Sequence, residues 1–169
     1  MKLNKSSDKR VNTVNSKTNA MRILDRAGVK YEAYQYQPDE NDLSGVHVAH
    51  QIGLPEDTVF KTLVAKGDKT GVIVFVIPCA TELDLKKCAV ASGNKRVELV
   101  PVKELRDLTG YVRGGCSPVG MKKTYTTYID ETAVLFEKIT VSAGLKGCQL
   151  LLKPGELAEV INANFADLI

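Results

Sequence analysis

The chain has 169 residues, of which 44% are hydrophobic and 25% are charged, and this balance is typical of a soluble globular domain. No apolar stretch approaches the ~20 residues that a membrane helix needs, and no apolar segment of a secretory signal follows the basic start, so we expect a cytoplasmic protein. The formal charge is +3, and because residues 1–17 hold five basic side chains and one acidic one, the rest of the chain is close to neutral, which excludes a strongly basic nucleic-acid-binding body.

The chain divides by composition into two parts. Residues 1–17 are rich in Asn, Ser and Lys and are predicted to form a flexible polar extension, whereas residues 18–169 are predicted to form a single domain. Four cysteines, at positions 79, 88, 116 and 148, are irregularly spaced and include no C-x-x-C pair. We therefore expect reduced thiols and no zinc site, with Cys88 on the apolar stripe of a helix.

Helices and strands are interspersed along the predicted domain. Helices are predicted from a Thr18 cap to Gly28, from a Ser44 cap to Gly53, from a capping box at Thr81–Asp84 to Gly93, over 102–109, and from Pro154 onward. Strands are predicted over 29–36, 59–65, 72–77, 97–100, 124–129, 134–141 and 148–152. The run 72–77 is apolar on both faces, which predicts a central, covered strand. We predict a mixed α/β domain whose central sheet is covered by helices, without the strict alternation of a Rossmann fold.

Lys61 is an unexpected charge inside an otherwise apolar predicted strand. A period of two places it on one face with Val59 and Leu63. Burying an unpaired ammonium is costly, so a lysine in a strand interior indicates a functional cavity. The alternative is an edge-strand lysine whose stem carries the charge out to water. Periodicity alone does not decide between these two interpretations.

A glycine-rich segment, Gly-Gly-Cys-Ser-Pro-Val-Gly, occupies residues 114–120. Adjacent glycines allow the backbone to approach a ligand, and consecutive amides can bind an anion or an oxyanion. A tight surface turn is the alternative interpretation. Lys122 and Lys123 follow directly and are candidate phosphate contacts. No G-x-G-x-x-G or Walker A sequence is present, which argues against the common nucleotide-binding folds.

Other familiar chemistries lack support in the sequence. His47 and His50 share one face of a predicted helix, but no third metal ligand stands out. The chain has no G-x-S-x-G sequence, and no recognisable histidine partner accompanies Cys116. We therefore predict neither a metal, nor another cofactor, nor a catalytic triad.

Several short segments occur together in one order along the chain. They are Val-Phe-Lys-Thr-Leu at 59–63, Leu-Asp-Leu-Lys-Lys at 83–87, Gly-Tyr-Val-Arg-Gly-Gly-Cys-Ser-Pro-Val-Gly at 110–120, Ile-Asp-Glu at 129–131, Val-Ser-Ala-Gly at 141–144 and Asn-Phe-Ala-Asp at 164–167. This combination, from about residue 18 to the C-terminus, resembles the YbaK/EbsC family. The resemblance implies a mixed α/β fold related to the editing domain of bacterial prolyl-tRNA synthetases. Its central sheet would be mixed or mostly antiparallel, barrel-like and surrounded by helices.

The resemblance also implies a function and a site. The expected function is removal of a mischarged amino acid, most typically cysteine, from tRNA for proline, in association with prolyl-tRNA synthetase. By motif, Lys61 is the essential lysine, and Gly114 and Gly115 belong to the loop that holds the ester carbonyl and the terminal ribose. The implied substrate-binding residues are Tyr36, Thr62, Cys116, Ser117, Pro118 and Ser142. In the family, the cysteine thiol of the substrate is thought to attack its own carbonyl and release a thiolactone.

Two positions depart from the family pattern, and three alternative functions stay open. Ala143 stands where members often have glycine, and Gln149 stands where some have aspartate, so no acidic role transfers to it. A deacylase for alanine or another small amino acid is the nearest alternative. A non-catalytic tRNA-binding accessory protein and a Schiff-base enzyme that uses Lys61 are the others.

Overall fold

The computed structural model of the protein describes residues 16–169, so the predicted extension at residues 1–17 lies almost wholly outside it. The helices are α1 (Asn19–Arg26), α2 (Gly45–Ile52), α3 (Leu85–Ser92), α4 (Val102–Thr109) and α5 (Pro154–Val160). The strands are β1 (Glu32–Gln35), β2 (Phe60–Gly67), β3 (Gly71–Pro78), β4 (Val97–Leu99), β5 (Thr126–Asp130), β6 (Ile139–Ser142), β7 (Cys148–Leu152) and β8 (Asn164–Ala166). Short 3-10 turns precede β2 and β6, at Glu56–Thr58 and Glu131–Leu135. No helix within the described range is long and apolar enough to span a membrane.

The strands form two sheets. The larger has the order β4-β2-β3-β5-β8, with β5 parallel to both of its neighbours and the remaining pairs antiparallel. The smaller, β1-β7-β6, is antiparallel throughout. A parallel bridge between Val59 and Thr140 links the two sheets, and one residue pair is too short a ladder to close them into a barrel. The predicted mixed α/β fold is confirmed, whereas the barrel-like closure is not found.

Apolar side chains cover both faces of β2 and β3. Residues 73–77 of β3 are at most 1% exposed, which confirms the prediction of a central, covered strand. One face packs against α1, α5 and the smaller sheet, through Phe60 and Val64 among others. The opposite face packs against α3 and Leu168 near the C-terminus, and Cys88 is fully buried there, as predicted. Burial on both faces fixes the position of β2, which carries Lys61.

Local signals fixed the ends of the first two helices. The hydroxyls of Thr18 and Ser44 each accept a hydrogen bond from the backbone amide three residues further on, as an N-cap residue does. Gly53 ends α2 with a φ of 72°, a left-handed conformation that favours glycine. Both predicted caps and the predicted stop of α2 are confirmed. The Ser44 cap also fixes the loop that enters the cavity described below.

Three sequence-based expectations about the elements are wrong. No capping box opens at Thr81, because its hydroxyl donates to the Pro78 carbonyl at 2.7 Å, and Asp84 alone caps α3. The predicted strand over 134–141 starts only at Ile139, because a 3-10 turn occupies the residues before it. Strand β8 was not predicted, because its three residues gain their extended conformation by pairing with β5.

Candidate active site

A cavity of about 570 Å³ lies between β2, the loop before α2 and the glycine-rich segment. This volume is in the usual range for a small-molecule site. Six of the predicted site residues line it, namely Tyr36, Lys61, Thr62, Gly114, Cys116 and Ser142. Five others do not, namely Gly115, Ser117, Pro118, Lys122 and Lys123. The fold therefore brings together residues from four separate stretches of the chain.

Lys61 lies where β2 runs beyond its neighbour β4. Strand β3 borders β2 along its whole length, but β4 pairs only with Ala65–Gly67. The Lys61 side chain is half-buried and lines the cavity. It makes no hydrogen bond or ion pair with any of residues 16–169. Both sequence interpretations thus contribute, since Lys61 is on a partly uncovered stretch of strand and its ammonium group is unpaired at a cavity wall.

Two thiols also line the cavity. Burial raises the pKa of the Cys79 thiol, and the nearby positive charge of Lys61 acts in the opposite direction. Burial raises the pKa of Cys116 to about 12. Both thiols are therefore protonated near neutral pH, and neither offers the thiolate that a cysteine nucleophile requires.

Two polar atoms in the cavity wall lack a hydrogen-bond partner. The Thr62 hydroxyl oxygen and the Gln149 side-chain carbonyl oxygen are buried and make no hydrogen bond within the described chain. Gln149, on β7, is 6% exposed and pairs in register with Ser142 on β6. The Ser142 hydroxyl accepts a hydrogen bond from the Gly144 amide at 3.2 Å. Because buried polar atoms are nearly always hydrogen-bonded, the two orphan oxygens indicate that a ligand is needed to complete the site.

The two glycines of the glycine-rich segment have different structural roles. Gly114 lines the cavity with a φ of 85°, a conformation that side chains strain. Gly115 packs directly against the backbone of the loop after β6, since a Cβ atom there would lie 3.0 Å from the Leu145 carbonyl carbon and the Lys146 nitrogen. Its amide donates to the Val112 carbonyl at 3.0 Å and is already used. The neighbouring amides, of residues 114 and 116, make no such bond within residues 16–169.

The remaining predicted site residues lie outside the cavity wall. Ser117 and Pro118 are buried in the fold, and the Ser117 hydroxyl accepts the Val119 amide at 3.2 Å, which stabilises the segment from behind. Lys122 is bound at the C-terminal end of α4, where its amide donates to the Thr109 carbonyl at 3.0 Å. Lys123 is exposed. Both lysines are therefore separated from the cavity by the length of α4, whose first turns line its rim.

Several residues of the wall were not predicted as site residues. Arg113 lines the mouth, is exposed, and makes no ion pair within the described residues. Its position directly before Gly114 was a signal that could have identified it. Leu99 and Val102 form an apolar rim and are 52% and 61% exposed. Gln149 was noted only as a departure from the family, because nothing in a strand sequence shows which face meets a cavity formed by another sheet.

The two histidines take part in local polar contacts. His47 lies 3.7 Å from the Asp42 carboxylate, and His50 lies 3.2 Å from the Glu56 carboxylate. Hydrogen bonds from Ser44 lower the pKa of Asp42, and His47 adds to that effect. Among residues 16–169, no group of three His, Cys, Asp or Glu side chains could hold a metal ion. Lys61 and Arg113 therefore set the charge of the cavity, and no carboxylate pairs with either of them in this part of the chain.

Comparison with known proteins agrees with this geometry. Residues 43–160 match the model of the aminoacyl-tRNA editing domain. The chain belongs to the aminoacyl-tRNA editing domain family. This result confirms the family assignment that was made from the sequence, and the matched range contains Lys61 and the whole glycine-rich segment.

Individual relatives support the same assignment. The chain is 48% identical to EbsC of Enterococcus faecalis, over 90% of this chain and 93% of that protein, and EbsC is described as a proposed Cys-tRNA(Pro)/Cys-tRNA(Cys) deacylase. It is 29% identical to YwhH of Bacillus subtilis, an uncharacterised protein, over 66% of this chain and 70% of the other. Its fold matches the crystal structure of a proposed trans-editing enzyme for prolyl tRNA synthetase, with a TM-score of 0.76, 25% identity, and coverage of 90% and 98% of the two chains. The hypothetical protein APE2540 shares the fold with a TM-score of 0.81 at 24% identity, covering 89% of this chain and 99% of that chain.

Proposed function

We propose that the protein is a trans-editing deacylase that removes mischarged cysteine from tRNA for proline. The observation that carries this proposal is the unpaired Lys61 ammonium in a cavity whose buried wall oxygens lack partners, in a chain of the editing-domain family. The proposed activity of EbsC, at 48% identity, supports the choice of cysteine and of tRNA. The absence of a metal-ligand cluster and of an ionised thiol in the described residues favours a reaction that needs neither.

The cavity suits the 3′ end of an aminoacylated tRNA. The aminoacyl group would enter between Tyr36, Lys61 and Ser142. The terminal base would lie against the apolar rim that Leu99 and Val102 form, where aliphatic side chains are exposed. Arg113 at the mouth would meet the terminal phosphate, because a guanidinium binds phosphate oxygens well. Lys122 and Lys123 would contact phosphates further along the strand.

The proposed reaction uses the nucleophile that the substrate brings. The cysteine sulfur attacks the carbonyl carbon of its own ester, the bond from that carbon to the ribose oxygen breaks, and the thiol proton passes to the ribose oxygen. The products are a cysteine thiolactone and tRNA with a free terminal hydroxyl. Holding thiol and carbonyl in contact supplies much of the acceleration, since effective molarities for such reactions reach roughly 10⁵–10⁸ M.

The protein contributes position and charge to this step. Lys61 would bind the ester and the departing ribose oxygen, where negative charge develops. The amides of Gly114 and Cys116 would stabilise the oxyanion, because the Gly115 amide is already bonded to Val112. Gly115 would act through the backbone, by letting the segment lie against the loop after β6.

Association with prolyl-tRNA synthetase is part of the proposal. The chain beyond residue 17 has 18 basic and 19 acidic side chains, so its bulk charge gives little attraction for tRNA. A complex with the synthetase would supply both the tRNA and the choice of tRNA. A gel shift in which the isolated protein binds tRNA for proline tightly and selectively would contradict this part of the proposal.

The chemical step can be tested with three aminoacyl groups on tRNA for proline. Cysteine has a thiol, S-methylcysteine has the same sulfur without its proton, and alanine has neither. We expect rapid loss of cysteine and little loss of the other two. Comparable hydrolysis of S-methylcysteine and alanine would show that water is the nucleophile, and loss of alanine alone would change the substrate assignment. Trapping of a covalent adduct by borohydride would instead support a Schiff base at Lys61.

A further inference from the structure

We propose that Gln149 and Thr62 form a binding site for the α-amino group of the aminoacyl ester, so that the protein acts on aminoacyl groups whose amine is free. This inference rests on the proposed deacylase function. It concerns a position at which the chain departs from the aspartate that some family members have, and it assigns a task to a neutral amide there.

The first argument is the pair of orphan oxygens in the cavity wall. The Gln149 carbonyl oxygen is buried, lines the cavity and accepts no hydrogen bond within residues 16–169. The same is true of the Thr62 hydroxyl oxygen, which lies next to Lys61 on β2. An amide carbonyl oxygen can only accept hydrogen bonds, so it requires a ligand atom that donates. The site is incomplete without such a donor.

The second argument is the inventory of donors on the proposed substrate. The ester carbonyl and the ester oxygen only accept hydrogen bonds, so they would bind to Lys61 and to backbone amides instead. The thiol is a weak donor. The α-amino group carries two or three N–H bonds and can serve two acceptors at once. It is therefore the part of the aminoacyl group that fits Gln149 and Thr62 together.

The third argument is charge. Lys61 lines the same cavity and has no carboxylate partner within the described residues. A carboxylate at position 149 would attract the Lys61 ammonium, whereas a neutral amide leaves that ammonium available to the ester. A neutral acceptor also binds the uncharged amine, and an α-amino group with a pKa of about 8 is partly uncharged near neutral pH. The amide thus recognises an amine without neutralising the lysine.

The test compares cysteinyl-tRNA with 3-mercaptopropionyl-tRNA, which keeps the thiol and replaces the amino group by hydrogen. We expect the wild type to prefer the cysteinyl ester by about tenfold in kcat/KM, beyond the ratio of the uncatalysed rates, for loss of hydrogen bonds in a buried site. Gln149→Met removes the acceptor at similar side-chain length and should lower that preference towards one. Thr62→Val, which removes the hydroxyl at nearly constant shape, should lower it independently.

Matched variants separate recognition from a structural effect. Gln35→Met makes the same substitution at an exposed position on β1 and should keep the wild-type preference. Gln149→Glu keeps an acceptor and should restore the preference that Gln149→Met loses, even at a reduced rate. An equal loss of rate on both esters in Gln149→Met and Thr62→Val would overturn the inference, since it would indicate a structural role or contact with the ribose. A wild type that cleaves neither ester would refute the deacylase proposal itself, a result distinct from cleavage without preference, which would refute only amine recognition.

Discussion

Replacement of Gly115 by alanine tests how the glycine-rich segment is held. The new Cβ atom would lie 3.0 Å from both the Leu145 carbonyl carbon and the Lys146 nitrogen, and 3.1 Å from the Leu145 Cα. These are backbone atoms, which cannot rotate away as a side chain would, so the segment must shift by a few tenths of an ångström. Overpacking of this kind costs about 1–3 kcal/mol of unfolding free energy. The amides on either side of Gly115 move with it, so activity should fall as well.

Gly155→Ala provides the matched control. Gly155 lies in α5, and a Cβ atom there would meet nothing within 4 Å. Alanine in a helix is favoured over glycine by about 0.5–1 kcal/mol, so this variant should be more stable than the wild type and fully active. Urea unfolding followed by circular dichroism gives both free energies with the same slope. A Gly115→Ala protein with wild-type stability and wild-type deacylation rate would refute the packing argument.

Three further predictions follow from single groups. Asp130→Ala should lower the unfolding free energy by about 2–3 kcal/mol in urea titrations, because the buried carboxylate accepts the Leu168 amide at 3.0 Å and anchors the C-terminus. Unfolding free energy should fall as pH rises from about 9 towards 12, because burial raises the pKa of Cys116 to about 12 and the unfolded thiol loses its proton first; Cys116→Ala should flatten that slope, and an unchanged slope would contradict it. Removal of Lys122 and Lys123 together should reduce the salt dependence of kcat/KM by up to about two phosphate contacts and leave the single-turnover rate at saturating tRNA unchanged.

Much of the fold could be predicted because its signals are local. The caps at Thr18 and Ser44 and the stop at Gly53 depend on residues within one turn of the helix end. The apolar run of β3 is covered on both faces, as its sequence indicated. The capping box at Thr81 failed because a carbonyl outside the helix takes its hydroxyl. Strand β8 was missed because its pairing with β5 is remote in sequence.

The site was predictable only in part. Lys61 stood out because a charge interrupts an apolar strand, and the glycine pair stood out by composition. The separate tasks of Gly114 and Gly115 depend on contacts with residues about 30 positions away, which a single sequence does not reveal. Gln149 reaches the cavity through the pairing of β7 with β6 and through the placement of the smaller sheet against β2. These are tertiary relations, and they decide which polar side chains meet.

The most direct test of the account is deacylation of cysteinyl- and alanyl-tRNA for proline by the wild type, Lys61→Ala and Lys66→Ala in parallel. Lys66 lies on the same strand, but its side chain is exposed and pairs with Glu104, so it serves as the matched control. We predict rapid loss of cysteine with alanine spared, a rate about 10²-fold lower or more in Lys61→Ala, and no change in Lys66→Ala. Because Lys61 makes no hydrogen bond or ion pair with residues 16–169, Lys61→Ala should unfold at the wild-type urea midpoint. A folded Lys61→Ala protein that removes cysteine at the wild-type rate would contradict the central claim.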